Sequence, residues 1–319
     1  MCLKLEKVSK RYLSGWVLRD LSFKVERGEV FGLIGEAGSG RSTTLKIIAG
    51  KVKDFSGKIF FENSSVKDIE ILTSESKSKN TFLRKLLGIR RNDFVPVGKR
   101  KLAELEQILE KAKDVVLLDN PFMCLDESER QKAIELLRTT VKRKSLASIF
   151  VTNNHEEIFG ACDRIGILHR GEIIQEGTPR EVYEKPEYAI SASLLGKCNL
   201  ITARRVTFSK ETPEFQTLEG NHRLKTDRVE RQRLGAITRN TTLAVRPEHI
   251  CISFGASFPE DNLLKAKVIK IDFRGEITRV LLDANGLKLE AAVLRLVGLD
   301  VGDECIIAIP PNRITILRD

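Results

Sequence analysis

Gly35-Glu36-Ala37-Gly38-Ser39-Gly40-Arg41-Ser42-Thr43 is the stretch that decides how this chain folds. It follows Glu29-Val30-Phe31-Gly32-Leu33-Ile34, a short apolar run suited to a buried strand, and continues into Thr44-Leu45-Lys46-Ile47-Ile48-Ala49, a helical stretch ended by Gly50. Its spacing is that of a phosphate loop, G-x-x-x-x-G-K-[ST], with arginine standing at the lysine position. Glycines in such a loop let backbone N–H groups turn inward around phosphate oxygens, and the helix that starts near Ser42 turns its positive end toward them. Ser42 supplies a hydroxyl for Mg²⁺. The candidate nucleotide-binding residues are therefore Gly35, Ala37, Gly38, Ser39, Gly40, Arg41, Ser42 and Thr43. Arg41 keeps the positive charge, but its planar fork is not a compact ammonium, so weakened phosphate affinity is expected rather than none.

Working outward, residues 3–26 alternate as short strands broken at Ser14-Gly15 and Arg27-Gly28. Downstream, Leu102, Leu105, Ile108, Leu109 and Ala112 recur at helical spacing and lead into a second buried strand, Val115 to Asp119. A helix over 127–140 precedes a third strand, Ser148 to Thr152. Strands alternating with helices predict an α/β domain, a parallel sheet flanked by helices, with an antiparallel β subdomain ahead of it. After about residue 195 helical periodicity gives way to alternating runs at Thr242–Arg246, Ala266–Ile271, Arg279–Leu282 and Cys305–Ile309, separated by turn signals such as Asn285-Gly286. That pattern predicts a small OB-like β-barrel or sandwich. Two domains are expected, 1–195 and 196–319, with the basic stretch 209–240 as a long hairpin or mobile loop.

Composition narrows the class. With 41% hydrophobic and 31% charged residues the chain is globular rather than disordered. No run approaches the ~18 apolar residues of a membrane span, and the start Met1-Cys2-Leu3-Lys4-Leu5-Glu6 lacks the apolar core of a secretion signal. The six cysteines are scattered without a CxxC pair, which argues against a zinc site and a disulfide framework and for the cytoplasm. A net charge of +10 favours an acidic partner: nucleotide, nucleic acid or an anionic lipid surface.

Several further stretches resemble one family. Val8-Ser9-Lys10-Arg11-Tyr12, Leu18 to Phe23 and Arg27-Gly28-Glu29 are similar to the opening of ABC importer ATPases. Leu117 to Phe122 resembles their Walker B motif, Cys124-Leu125-Asp126 their D-loop, and Val151 to Glu157 their switch region. Asp163-Arg164-Ile165 through Gly177-Thr178-Pro179 resembles the close of that domain. Gly196 to Asn199 and Val245 to Ile250 resemble the C-terminal TOBE domain of iron, polyamine, molybdate and sugar importers. The resemblance implies ATP and Mg²⁺ as ligands, Tyr12 as the aromatic stacked on adenine, Ser42 and Asp119 at the metal, and a second ATPase subunit, the same or different, as dimer partner. It also implies a membrane permease as partner and a cytoplasmic location, peripheral at the inner face of the membrane.

Departures from the family pattern fall on the hydrolytic machinery. Asn120 stands where the resemblance puts the glutamate that polarises water, and an amide does not accept a proton at neutral pH, a loss worth roughly 10²–10⁴ in rate. Asn153 replaces the switch histidine, and His155 lies off-register as an ordinary surface residue. The signature that would contact ATP on the opposite subunit is filled by Val95-Pro96-Val97-Gly98-Lys99. Proline there removes a backbone donor and valine adds bulk where glycine allows close approach. Pro96, Val97, Gly98 and, from the D-loop, Asp126 are thus the expected dimer-contact residues. No docking-loop glutamine stands in 66–80, and the chain before Val95 is short for a full helical subdomain. The reading is an ATP-binding subunit that hydrolyses poorly and serves as a regulatory partner.

Two alternatives compete with it. One is an ordinary importer ATPase of low activity, since phosphoryl transfer depends heavily on positioning and Mg²⁺. The other is nucleic-acid or anionic-surface binding by Lys77, Lys79, Arg84, Lys85, Arg90, Arg91, Lys99, Arg100 and Lys101. Only Phe82 and Phe94 offer stacking surface in that segment, so nucleic acid is the weaker partner.

Overall fold

A computed structural model describes residues 2–62, 69–73, 96–207, 212–227, 239–253, 261–295 and 298–318. The chain divides into two compact units, Met1–Val182 and Tyr183–Asp319.

The first unit opens with β1 (Leu3–Tyr12) and β2 (Gly15–Val25), an antiparallel hairpin, followed by β3 (Glu29–Gly35), α1 (Arg41–Ile48) and β4 (Ser56–Phe61). β4 pairs with β1, giving a three-stranded antiparallel sheet in the order β2-β1-β4. Beyond it come β5 (Ile69–Thr73), α2 (Val97–Lys111), β6 (Val115–Asp119), α3 (Glu127–Lys144), β7 (Ala147–Val151), α4 (His155–Ala161), β8 (Arg164–His169) and β9 (Glu172–Gly177). These strands and β3 form a second sheet in the order β5-β6-β7-β3-β8-β9, parallel except for the last pair. The expected parallel sheet and the antiparallel subdomain ahead of it are both present.

Sequence accounts for these elements in detail. β3, β6 and β7 are near-continuous apolar runs, as strands covered on both faces must be. Phe31 of β3 stacks on Phe23 of β2 at 5.1 Å between ring centroids, within a core shared by both sheets. α3 begins at a capping box, with the Asp126 side chain accepting from Glu129 N and the Glu129 side chain from Asp126 N. It ends in Lys142, Arg143 and Lys144, cations at the negative end of the helix dipole.

Within residues 66–80, where no docking-loop glutamine stands, Ile69–Thr73 forms a strand of the parallel sheet, pairing in register with Val115–Asp119. The rest of that stretch, and the cations from Lys77 to Arg91, lie outside the described residues.

α5 (Pro179–Glu184) runs across the division and α6 (Ala189–Leu194) follows. The second unit then contains β10 (Asn199–Arg205), β11 (Glu214–Thr217), β12 (Arg223–Lys225), β13 (Asn240–Val245), β14 (Cys251–Ser253), β15 (Asn262–Phe273), β16 (Thr278–Ala284), β17 (Leu287–Val293), β18 (Glu304–Ile309) and β19 (Thr315–Ile316). They form two five-stranded sheets, β12-β11-β10-β13-β19 and β14-β18-β15-β16-β17. One apolar core, with Phe215, Leu243, Val268, Leu282 and Ile307 at its centre, is shared by both. The described part of 209–240 is a short hairpin, β11 against β12, because Phe215 and Leu224 carry it into that core.

Candidate nucleotide site

Parallel pairing sends the loops after β3, β6 and β7 out of one edge of the sheet, where Gly35 aligns with Leu168 and Asp119 with Val151. Crevices at the carboxyl ends of such strands are where ligands bind in open α/β sheets.

Backbone geometry shapes the first loop. Gly38 and Gly40 hold φ of 81° and 111°, left-handed values that side chains resist. A Cβ on Gly40 would come within 2.6 Å of Leu18 Cδ2, and one on Gly35 within 2.4 Å of the Leu168 carbonyl oxygen. α1 is closed at its start by Thr44, whose amide and hydroxyl both donate to the Gly40 carbonyl, at 2.9 and 3.0 Å. The Ser39 hydroxyl is buried and has no hydrogen-bond partner among the described residues. An orphaned hydroxyl beside a glycine cradle suits phosphate oxygens as acceptors.

Three of the expected residues converge at the end of β6. Ser42 Oγ lies 3.5 Å from Asp119 Oδ2, and the Asn120 side-chain amide donates to Asp119 Oδ1 at 2.9 Å. Asn120 itself sits at φ 48°, a conformation asparagine tolerates better than most residues, with its backbone N–H donating to Val151 O at 2.8 Å. The oxygen pair of Ser42 and Asp119 is a hard donor set that fits Mg²⁺. From α1, Arg41 Nη1 donates to Asn153 Oδ1 at 2.6 Å and to Thr152 O at 3.4 Å. Burial holds the Arg41 guanidinium below its ordinary value, opposed by the Asp119 carboxylate.

Sequence reasoning missed the shell behind Asn153. Thr152 Oγ1 donates to Glu157 Oε2 at 2.5 Å and accepts from Asn154 N at 3.1 Å, which fixes the turn into α4. Glu157 is buried and faces Arg130 Nε at 3.4 Å. Burial raises the Glu157 carboxyl above its ordinary value, with Thr152 and Arg130 pulling the other way. The signal available in advance was a glutamate in the first turn of a helix, too common to single out. His155 begins α4 and is exposed, as expected of a surface histidine.

Tyr12 ends β1 with 40% exposure, and Lys10 Nζ lies 4.8 Å from its ring centroid. The hairpin it belongs to approaches the loop through Val17 and Leu18, the neighbours of Gly40. Trp16, also exposed, pairs instead with Arg11, 5.8 Å from its ring.

The expected dimer-contact residues form a cluster of their own. Pro96 is the N-cap of α2 and Val97 is exposed, but Gly98 is buried against Glu129, where an added Cβ would come 1.7 Å from Oε2. Glu129 is in turn capped by Asp126. Gly98 is thus explained by close packing on the α3 capping box. Val95 lies outside the described residues.

A glycine loop between the middle strand and first helix of a parallel sheet, with Asp119 facing Ser42 across it, defines a P-loop nucleotide-binding protein. Within that class, residues 18–147 match the ABC transporter family and residues 243–317 the TOBE domain, so the chain carries both domains. It is similar to the spermidine/putrescine import ATP-binding protein PotA of Mycoplasma capricolum, 28% identical, covering 86% of this chain and 85% of that protein. The sulfate/thiosulfate import ATP-binding protein CysA of Bacillus cereus is also 28% identical, over 79% of this chain and 80% of its own length. The Fe(3+) ions import ATP-binding protein FbpC 2 of Haemophilus influenzae is 25% identical, over 94% and 93%.

Proposed function

We propose that this chain is the ATP-binding subunit of an ABC-type importer that binds Mg-ATP but hydrolyses it poorly, acting as a regulatory partner. The relatives' names carry polyamine, sulfate and iron alike, so they support import and leave the solute unassigned. In this reading Gly38, Ser39, Gly40 and Arg41 hold the phosphate chain, and Ser42 with Asp119 holds the metal. Mg²⁺ bound there neutralises charge on the phosphates. Tyr12 stacks on the base. Pro96, Val97 and Asp126 face a second ATPase subunit, the same or different, with Gly98 packed behind them on Glu129, and a membrane permease completes the assembly. No helix among the described residues is long and apolar enough to cross a membrane, in keeping with a peripheral place at its cytoplasmic face.

The observation that carries poor hydrolysis is the Asn120 amide donating to Asp119. Where catalysis needs a group that accepts a proton from water, this chain has a donor already engaged with the neighbouring carboxylate.

Calorimetric titration with Mg-ATP, with Ser42→Ala as control, and phosphate release on the same samples test the reading together. Binding between micromolar and millimolar, weakened in the control, with turnover far below that of an intact relative, supports it. Turnover equal to an intact relative's and abolished by Ser42→Ala sinks the regulatory reading, and absence of binding at millimolar ATP sinks the nucleotide reading itself.

A further inference from the structure

Two departures in the site touch each other. Arg41 replaces the loop lysine and Asn153 the switch histidine, and the 2.6 Å bond from Arg41 Nη1 to Asn153 Oδ1 joins them. We infer that Asn153 is the positioning residue for Arg41: it anchors one end of the guanidinium so that the other end meets the phosphate chain. The inference rests on the nucleotide reading above.

Side-chain chemistry favours this division of labour. A lysine ammonium gathers its donors on one nitrogen and can rotate to face a phosphate without help, whereas a guanidinium spreads five donors over a rigid fork. At this place the fork is partly buried, so Nη1 needs an acceptor of its own. Asn153 Oδ1 and the Thr152 carbonyl supply it. Nε and Nη2 of Arg41 make no hydrogen bond among the described residues, and they are the pair that presents a bidentate face to a phosphate. A protonated or donor-facing imidazole at position 153 would oppose the guanidinium, while an amide oxygen accepts from it and leaves Nδ2 free to donate.

The anchor is itself held firmly. Thr152 stands at the end of β7, its hydroxyl donating to buried Glu157 and accepting from Asn154 N. Asn154 then caps α4 by accepting from Glu156 N at 2.9 Å. Asn153 lies between two fixed residues, so its amide is presented to Arg41 by the turn rather than by chance contact. Poor hydrolysis and retained binding are then compatible, since a swap that removes the switch histidine supports the arginine that replaces lysine.

A double-mutant cycle on the full chain tests this, reading the affinity for Mg-ATP and for a non-hydrolysable triphosphate analogue. Asn153→Ala is expected to weaken binding about three- to tenfold, the worth of one hydrogen bond, whereas Arg41→Lys, which restores the compact ammonium, is expected to bind at least as tightly as wild type. The double variant is expected to bind no more weakly than Arg41→Lys alone, because a lysine has no need of the anchor. Asn153→Ser, which keeps an acceptor, is expected to recover part of the loss, and thermal melts of all four proteins separate binding losses from unfolding. A loss from Asn153→Ala of the same size in the Arg41→Lys background overturns the inference, as does unchanged affinity in Asn153→Ala alone. Either result leaves the nucleotide reading standing, whereas failure of the wild-type chain to bind Mg-ATP removes both.

Discussion

Asp119 is hydrogen-bonded by its own neighbour: the Asn120 amide donates to Oδ1 at 2.9 Å, while Oδ2 faces Ser42 Oγ at 3.5 Å. One carboxylate is thereby divided between the candidate metal site and the residue that stands in the place of a base.

Asn120→Glu removes that donor and supplies a carboxylate able to accept a proton. Turnover is expected to rise by at least about tenfold, below the full range of roughly 10²–10⁴ because Arg41 and the start of α2 remain altered. Position 120 holds φ 48°, so a glutamate there is strained and stability is expected to fall by about 1 kcal/mol. Phosphate release and thermal melts on the same variant read the two effects. Unchanged turnover would place the block on Arg41 or on the altered signature instead.

Ser39→Ala separates binding from folding. The Ser39 hydroxyl is buried without a partner among the described residues, so its removal is expected to leave stability unchanged or to raise it by about 1 kcal/mol. If the hydroxyl waits for a phosphate oxygen, the same change weakens Mg-ATP binding about three- to tenfold. Urea unfolding and calorimetry measure both, and unchanged affinity would mean that the hydroxyl is no ligand.

Which parts of this site were legible in the sequence follows from what sequence encodes. Glycine spacing, the apolar runs of β3, β6 and β7, and Asp119 declare themselves because each residue type is dictated by its own backbone or burial. β5 was missed because an edge strand reading Ile69-Glu70-Ile71-Leu72-Thr73 lies among charged residues, and only pairing with Val115–Asp119 defines it. The bond between Arg41 and Asn153 spans 112 residues and depends on parallel register, which no local pattern reports. Gly98 was expected at a dimer contact, and its packing on Glu129 is a property of two helices together.

Glu157 gives the first unit a pH dependence of stated sign. Burial raises its carboxyl in the folded chain above the ordinary glutamate value. Between those two values the folded state holds more protons than the unfolded one, so stability falls as pH rises. The contribution is fully present below the ordinary value and is lost as pH passes through the raised one. Relative to Glu157→Gln, the wild-type chain is expected to lose stability between about pH 4 and the raised value, and to run parallel above it. Urea unfolding at stepped pH checks this, and an opposite slope would mean that Arg130 and Thr152 outweigh burial.

Arg246 is expected to be the most sensitive single residue of the second unit. It is 4% exposed, and its Nη1 donates to the carbonyls of Ala192, Lys197 and Gly196 at 2.8, 3.0 and 3.3 Å. Nη2 and Nε both reach the Tyr183 carbonyl, at 3.1 and 3.3 Å, and the guanidinium lies 3.9 Å from the Tyr183 ring centroid. These acceptors are carbonyls around α5 and α6, where helix ends leave oxygens without intrahelical partners. The Tyr183 hydroxyl donates to Glu248 at 2.6 Å, and burial followed by that bond raises it above the ordinary tyrosine value. Arg246→Ala strands several buried carbonyls at once and is expected to cost about 3 kcal/mol or more. Arg246→Lys keeps the charge but cannot fork among four carbonyl groups, so about 2 kcal/mol is expected to be lost even there. With two compact units, the full chain is followed by tryptophan fluorescence for the first, through Trp16, and by far-UV circular dichroism for both. An earlier dichroism transition with the fluorescence transition unmoved is the expected result, and a lysine variant as stable as wild type would show that charge alone, not the fork, holds this corner.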